Sequence, residues 1–149
     1  MAYQRKKSTE QQVVESIIRG IVAIIKLPFR GLFKSSPKGA SIDRAEIQSR
    51  WHEIEKLSSG SDAHGLAQAI IMADKLFDAV LQAKALPGQV MAERLKSAKD
   101  LYSDYSVYQG AWDGHKLRNQ IAHEINHVVD ISEGQQAVEK FKKAIFSII

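Results

Sequence analysis

Apolar residues recur at intervals of three and four along residues 43–149, and this spacing is the strongest constraint on the fold. Leu66, Ile70, Ala73, Phe77 and Val80 show it over one segment. Because an α-helix turns once every 3.6 residues, residues at this spacing share a face that can pack against a neighbour. No segment has the alternating polar and apolar pattern of a half-buried strand. The sequence therefore predicts an all-α fold.

Capping residues and breaks divide this region into five predicted helices. Asp43 and Asp62 are suited to start the first two, and the Pro87-Gly88 pair is suited to stop the second. Ser132 with Gln135 forms a capping box for the last. The predicted helices cover about 43–57, 62–87, 89–101, 105–127 and 132 onward. Short joints between them favour an up-and-down helical bundle.

Two glycines lie inside the fourth predicted helix, where each costs up to ~1 kcal/mol relative to alanine. Gly110 and Gly114 precede Arg118 by about two turns and one turn. Their position indicates the close approach of another helix or of a substrate backbone. Alternatively, the helix begins later than Tyr105.

The first 40 residues differ from the remainder in charge. Residues 1–40 carry eight Lys/Arg against two Asp/Glu, a net charge of +6, whereas residues 41–149 carry 13 against 15, a net charge of −2. Residues 10–34 have a broad apolar face opposite a polar stripe, which predicts an N-terminal amphipathic helix. Arg19 interrupts its apolar run, so the helix is unsuited to span a bilayer or to serve as a signal peptide.

These features predict a basic amphipathic arm and linker over 1–40 and a helical domain over 41–149. The arm is suited to a membrane surface, to RNA or to packing on the domain itself. The chain has no cysteine, which excludes disulfides and thiol nucleophiles and suits a reducing compartment. We expect a cytoplasmic protein, peripheral at the inner membrane face if the arm binds lipid.

The segment LRNQIAHEINH, residues 117–127, supports two chemical interpretations. His123-Glu124-x-x-His127 has the spacing of a zinc-protease helix. A metal bound there would face away from Arg118, and the positions of the extended zinc motif hold Asp130 and Glu133. The predicted fold also lacks a sheet edge to hold a peptide. The zinc spacing is therefore read as a coincidence, and no metal or other cofactor is expected.

The second interpretation pairs Arg118 with His123. Cleaving RNA without a metal requires a base for the 2′-hydroxyl proton and a cation for the charge that grows on the phosphate. Histidine titrates in a suitable range, and arginine binds phosphate oxygens through two N–H groups. A solvated polar helix face remains the alternative.

The segment HKLRNQIAHE, residues 115–124, resembles the signature of HEPN domains (higher eukaryotes and prokaryotes nucleotide-binding). In that family an arginine, usually followed by a polar residue, lies four to six residues before a histidine on a late helix of a small bundle. The resemblance implies a metal-independent endoribonuclease, with two motifs facing each other across a homodimer. It assigns Arg118 to the scissile phosphate, His123 to proton transfer and Asn119 to orienting them.

Lys116 and His115 are predicted to contact the RNA substrate, and no DNA-specific motif is present. Two features depart from the family. Ile125 occupies the position at which antitoxin-regulated members carry tyrosine, and the net charge of the domain is negative, unlike most RNA binders. The alternative is a non-catalytic, membrane-associated module that binds nucleotides or partner proteins.

Overall fold

Five α-helices joined by short turns make up the part of the chain described by the computed structural model, residues 42–60, 62–124 and 127–149. No strand occurs among these residues, and the predicted all-α, up-and-down bundle is confirmed. The amphipathic helix predicted within residues 10–34 lies outside the described residues. The helices are α1 (Arg44–Ser58), α2 (Ala63–Ala83), α3 (Met91–Ser97), α4 (Tyr105–His123) and α5 (Ile131–Phe146).

The core lies where α2, α4 and α5 meet. α2 packs against each of the other four helices, and α4 packs along α5. Phe77 of α2 and Phe141 of α5 meet edge to face at the centre, with ring centroids 6.1 Å apart. Among the described residues, no helix combines the length and apolar character needed to cross a bilayer.

Gly114 brings α4 close to α5, as the sequence predicted. A Cβ atom at Gly114 would lie 2.8 Å from Cε2 of Phe141, so only glycine lets the Phe141 ring lie against the α4 backbone. The helix runs unbroken through both Gly110 and Gly114, which rules out the later start. Gly134 of α5 makes a similar approach to Leu66 of α2, which the sequence analysis had not anticipated.

The C terminus of α4 was predicted incorrectly. The helix ends at His123 rather than His127, because Glu124 is extended while its N–H still donates to Gln120 O. The turn that follows buries Val129 near Gly134 and leaves Val128 78% exposed. Val128 therefore lies at the surface and not in the core.

α2 ends at Ala83, four residues before the predicted proline stop. The N–H of Ala85 donates to Gln82 O and that of Leu86 to Leu81 O, which is the bond pattern of a Schellman cap. Ala85 takes the left-handed conformation that this cap requires, with φ of 55°. The cap satisfies the last carbonyls of α2, so Pro87 is not what ends the helix.

The predicted limits of α3 and α5 were also inaccurate. α3 covers only Met91–Ser97, and a separate 3₁₀ turn follows at Lys99–Leu101. The cap of α5 is Asp130 rather than Ser132, because the Asp130 carboxylate accepts from the Glu133 N–H at 3.0 Å. α5 consequently begins at Ile131.

Candidate active site

Four polar side chains form a closed ring between α2 and α4. Asp74 of α2 places Oδ1 2.7 Å from Nδ1 of His115, and Nε2 of His115 lies 3.2 Å from Nδ2 of Asn119. Oδ1 of Asn119 accepts from Nη1 of Arg118 at 3.0 Å. Nε of Arg118 closes the ring 3.4 Å from Oδ2 of Asp74. The ring thus joins three residues of the α4 motif to one carboxylate of α2.

The local sequence accounts for this meeting on α4. His115 and Asn119 are four residues apart and therefore lie on the same helix face. Arg118 lies at the edge of that face, one residue before Asn119. Asp74 lies on the inward side of α2, beside the buried Ala73 and Phe77.

The donor and acceptor roles in the ring follow from Arg118, which can only donate. Oδ1 of Asn119 must accept from it, so Nδ2 of Asn119 must donate to Nε2 of His115. Nε2 is then the unprotonated nitrogen, and Nδ1–H of His115 donates to Asp74. These roles give each contact of the ring between Asp74, His115, Asn119 and Arg118 one donor and one acceptor.

Burial divides the ring into an inner and an outer part. Asp74 and His115 are 5% and 8% exposed, whereas 32% of the Arg118 side chain is exposed. Nε of Arg118 is buried and has no hydrogen bond to a described residue. The guanidinium is thus held at its inner edge, while its outer part faces solvent, where it can meet an anion.

The predicted site residues divide into two groups. Arg118, Asn119 and His115 are brought together, and His115 lies beneath the surface, which favours a positioning role over direct substrate contact. His123 is the last residue of α4, is exposed, and has no hydrogen bond or ion pair within the described ranges. Lys116 is exposed on α4. The ring therefore does not include His123.

Asp74 is the functional candidate that sequence reasoning missed. Asp74 and Asp78 are one helical turn apart, a spacing that by itself is equally typical of a solvated helix face. Both are ion-paired, Asp74 as above and Asp78 with Arg94, whose Nε and Nη2 lie 2.8 and 2.9 Å from its carboxylate. The sequence contains one signal that could have identified Asp74. This residue interrupts the apolar stripe that contains Ala73 and Phe77, and a carboxylate buried there needs a partner.

The described residues do not have the geometry that the zinc interpretation requires. α4 ends at His123, so His123 and His127 are not one turn apart on a helix. Nδ1 of His127 instead lies 3.0 Å from Oε2 of Glu124. Within residues 42–60, 62–124 and 127–149, no three His, Asp or Glu side chains are grouped closely enough to hold a metal ion.

Comparison with family models, with curated proteins and with solved structures gave no match in any of the three. The HEPN resemblance of residues 115–124 remains a prediction.

Proposed function

We propose that this protein is a metal-independent endoribonuclease of the HEPN type that acts as a homodimer. The observation that carries the proposal is the polar ring of Asp74, His115, Asn119 and Arg118. It fixes one arginine on a helix that ends, five residues later, in an exposed histidine. An anchored cation and an accessible proton-transfer group are what RNA cleavage without a metal requires.

Arg118 is the phosphate-binding group in this proposal. Its inner edge is held by Asn119 and Asp74, so little side-chain entropy is lost when its outer N–H groups meet a phosphate. The charge that develops on the phosphate oxygens during the reaction is stabilised by this preoriented guanidinium. Lys116, exposed on the same helix, adds a phosphate contact further along the chain.

His123 carries out proton transfer. As the 2′-oxygen attacks phosphorus, the base takes the 2′-hydroxyl proton, and the bond from phosphorus to the 5′-oxygen breaks. The leaving oxygen receives a proton, so the products are a 2′,3′-cyclic phosphate and a 5′-hydroxyl. Arg118 and His123 are separated by about 7.5 Å along the helix axis. Two copies facing each other would supply both a base and an acid for one scissile bond.

Cleavage of RNA in excess EDTA tests the proposal. The full-length protein is expected to leave 2′,3′-cyclic phosphate ends, and Arg118→Ala and His123→Ala are each expected to slow cleavage by at least a hundredfold. His52→Ala is a matched control because His52 is also an exposed helical histidine. Equal cleavage by the parent and both variants would contradict the mechanism.

Mixed dimers test whether the site is shared between subunits. Because each scissile bond uses His123 of both subunits, a mixed dimer of parent and His123→Ala subunits should cleave as slowly as the His123→Ala dimer. Adding excess His123→Ala protein to a fixed amount of parent should therefore remove most of the parent's activity. Unchanged parent activity, in a mixture shown to exchange subunits, would mean that each chain cleaves on its own.

The alternative proposal is a non-catalytic helical module, attached to a membrane through residues 10–34, in which the ring has a structural role. It is favoured by the internal engagement of Arg118 and by the net charge of −2 on residues 41–149. It predicts no RNA cleavage. It also predicts that the full chain binds anionic vesicles and that removal of residues 1–40 abolishes this binding. Either role is compatible with a cytoplasmic protein at the inner membrane face.

A further inference from the structure

A line of planar side chains runs along α4 toward the polar ring. Tyr105, Trp112 and Asn119 are spaced seven residues apart, and because two helical turns take 7.2 residues, they lie nearly in one line. Tyr108 and His115 occupy the intervening turns on the inner side of this line, and both are buried. We call Tyr105, Tyr108 and Trp112 the aromatic strip.

Ring contacts connect the strip from end to end. The centroids of Tyr105 and Tyr108 are 5.7 Å apart, and those of Tyr108 and Trp112 are 6.4 Å apart. Trp112 in turn meets the imidazole of His115 edge to face at 6.2 Å. The last ring of the strip therefore touches a member of the polar ring.

Tyr102 braces the inner side of the strip. Its ring centroid lies 5.8 Å from that of Tyr108, and its hydroxyl donates to Ala144 O of α5 at 3.2 Å. Burial, with a smaller effect from Tyr108, raises the pKa of Tyr102, so the phenol stays protonated. The inner side of the aromatic strip therefore packs on Tyr102, which is in turn anchored to α5.

The outer side of the strip is open at Tyr105 and flanked by cations. Tyr105 is 56% exposed and Trp112 is half-buried. Nζ of Lys99 lies over the Tyr105 ring, 5.8 Å from its centroid, so a base that stacks on that face takes the place of the ammonium. Lys116 is exposed one turn beyond Trp112. Of the nearby carboxylates, Asp113 pairs with Lys140 at 3.0 Å and Asp104 caps the helix by accepting from the Ser106 N–H at 2.8 Å.

We propose that the aromatic strip is a subsite for unpaired RNA bases, which stack on Trp112 and Tyr105 beside the scissile phosphate held by Arg118. Every base offers a planar face, so this contact is strong and tolerant of sequence. Lys99 and Lys116 neutralise the phosphates between stacked bases. The inference rests on the proposed function for the identity of the phosphate site, but the strip can be tested by binding alone.

The positions of Trp112 and Tyr105 relative to Arg118 along α4 define which nucleotides stack on each ring. Trp112 precedes Arg118 by six residues, or about 9 Å along the helix axis, and Tyr105 precedes it by 13, or about 20 Å. Trp112 therefore meets the base nearest the scissile bond, and Tyr105 meets a base further along the strand. A duplex cannot use the strip, because its bases already stack on each other.

Tryptophan fluorescence reports on the strip without relying on cleavage. The chain has two tryptophans, and Trp51 is only 3% exposed and packs against Phe146. In full-length His123→Ala protein that also carries Trp51→Phe, all tryptophan emission comes from Trp112. The probes are an unstructured RNA 12-mer and the same strand annealed to its complement.

The single strand is expected to quench Trp112, and the duplex to leave its emission unchanged. Tyr105→Leu should weaken binding of the single strand about tenfold, whereas Tyr105→Phe, which keeps the ring, should bind like the parent. Val128→Ala is a control, since Val128 is an exposed apolar residue in the turn that follows α4, at the opposite end from Tyr105. Tyr105 lies at the surface, so its replacement leaves the core intact.

The results of these binding experiments test the aromatic strip separately from the proposed ribonuclease activity. Quenching that depends on Tyr105, in a protein whose parent does not cleave RNA, would support the strip and contradict the proposed function. RNA binding with no quenching and no dependence on Tyr105 would overturn the strip even if cleavage occurs, because the basic arm could supply that affinity. A Tyr105→Leu protein that changes from dimer to monomer in sedimentation would also overturn it, since the strip would then be covered by a second copy.

Discussion

Asp74 on α2 and His115 on α4, 41 residues apart in the chain, meet through a contact of 2.7 Å between Oδ1 and Nδ1. The same carboxylate reaches the Nε of Arg118 with its other oxygen. One buried aspartate therefore orients both the histidine that supports Asn119 and the arginine of the motif. The motif is held in place by a residue that its own segment does not contain.

Asp74→Asn is expected to lower the free energy of unfolding by about 1–3 kcal/mol, because it replaces a buried, charge-assisted acceptor with a neutral amide. Asparagine has one oxygen where aspartate has two, so an amide that still accepts from His115 presents its NH₂ group to Nε of Arg118, and the ring opens there. We expect cleavage to fall together with stability. Denaturant unfolding and the RNA cleavage rate measure the two effects.

Asp78→Asn is the matched control for this substitution. Asp78 lies one turn further along α2 and binds Arg94, away from the motif. It should lower stability to a similar extent while leaving cleavage unchanged at a temperature where both variants are folded. Equal losses of cleavage in the two variants would show that the Asp74 effect is only one of stability.

Gly114→Ala and Gly110→Ala are expected to change stability in opposite directions. A Cβ at 114 would meet the Phe141 ring at 2.8 Å, inside the packed core, which predicts a loss of about 1–3 kcal/mol. The nearest atoms to a Cβ at 110 would all belong to the flexible Lys140 side chain, with Cγ closest at 3.3 Å. There the higher helix propensity of alanine should give a gain of up to ~1 kcal/mol. Thermal unfolding of the two variants measures both changes in stability. An unchanged melting temperature for Gly114→Ala would contradict the close contact between Gly114 and Phe141.

Ala85→Gly is expected to stabilise the protein by about 1 kcal/mol. Ala85 has a φ of 55°, and a Cβ in this left-handed region is strained, whereas glycine is not. Ala83→Gly is the control, because Ala83 is the last residue of α2, has no positive φ, and should lose stability when replaced by glycine. Chemical denaturation of the three proteins provides the comparison. If Ala85→Gly lost stability, the Schellman cap would not be formed in solution.

Acid is expected to destabilise the fold through carboxylates whose pKa is lowered on folding. Backbone N–H groups of Gly65 and His64 lower the pKa of Asp62, the hydrogen bonds from Ser106 lower that of Asp104, and Lys142 lowers that of Glu55. The unfolded chain therefore takes up protons at a higher pH than the folded chain. The stabilisation is complete above the unfolded pKa of about 4 and is lost as pH falls through the folded values.

The double variant Asp62→Asn/Asp104→Asn tests this assignment. Its melting temperature should lie below that of the parent at pH 7, and the two should converge as pH falls from 5 to 2.5. Calorimetry at half-unit intervals measures the slope. If the melting temperatures of the parent and the variant fell in parallel over this range, unfolding would not be coupled to protonation of Asp62 and Asp104.

Sequence reasoning succeeded where the determinant lies within a few residues. Asp43 and Asp62 cap α1 and α2 as predicted, since the carboxylate and the N–H groups that it accepts from are two or three positions apart. Gly114 was also interpreted correctly as a point of close helix approach. The periodicity of each apolar face was sufficient to define the bundle.

Sequence reasoning failed where a structural feature is determined by a contact between distant segments of the chain. The end of α4 at His123 accompanies the burial of Val129 next to Gly134 of α5, and nothing in residues 117–127 encodes that contact. Asp74 and Asp78 have the same residue type and nearly the same surroundings in sequence. Only the positions of His115 and Arg94 in space separate a site residue from a structural ion pair.

The Phe141 ring packs directly against Gly114, and this contact limits which residues the two positions can hold as the sequence diverges. A larger side chain at 114 is compatible with the fold only if position 141 becomes smaller, so the two positions are expected to vary together among descendants of this sequence. Because Gly114 directly precedes His115, that exchange would also move the first residue of the motif. Lineages that keep the polar ring should therefore keep the glycine and the phenylalanine as a pair, and lineages that lose the ring should be free to change both.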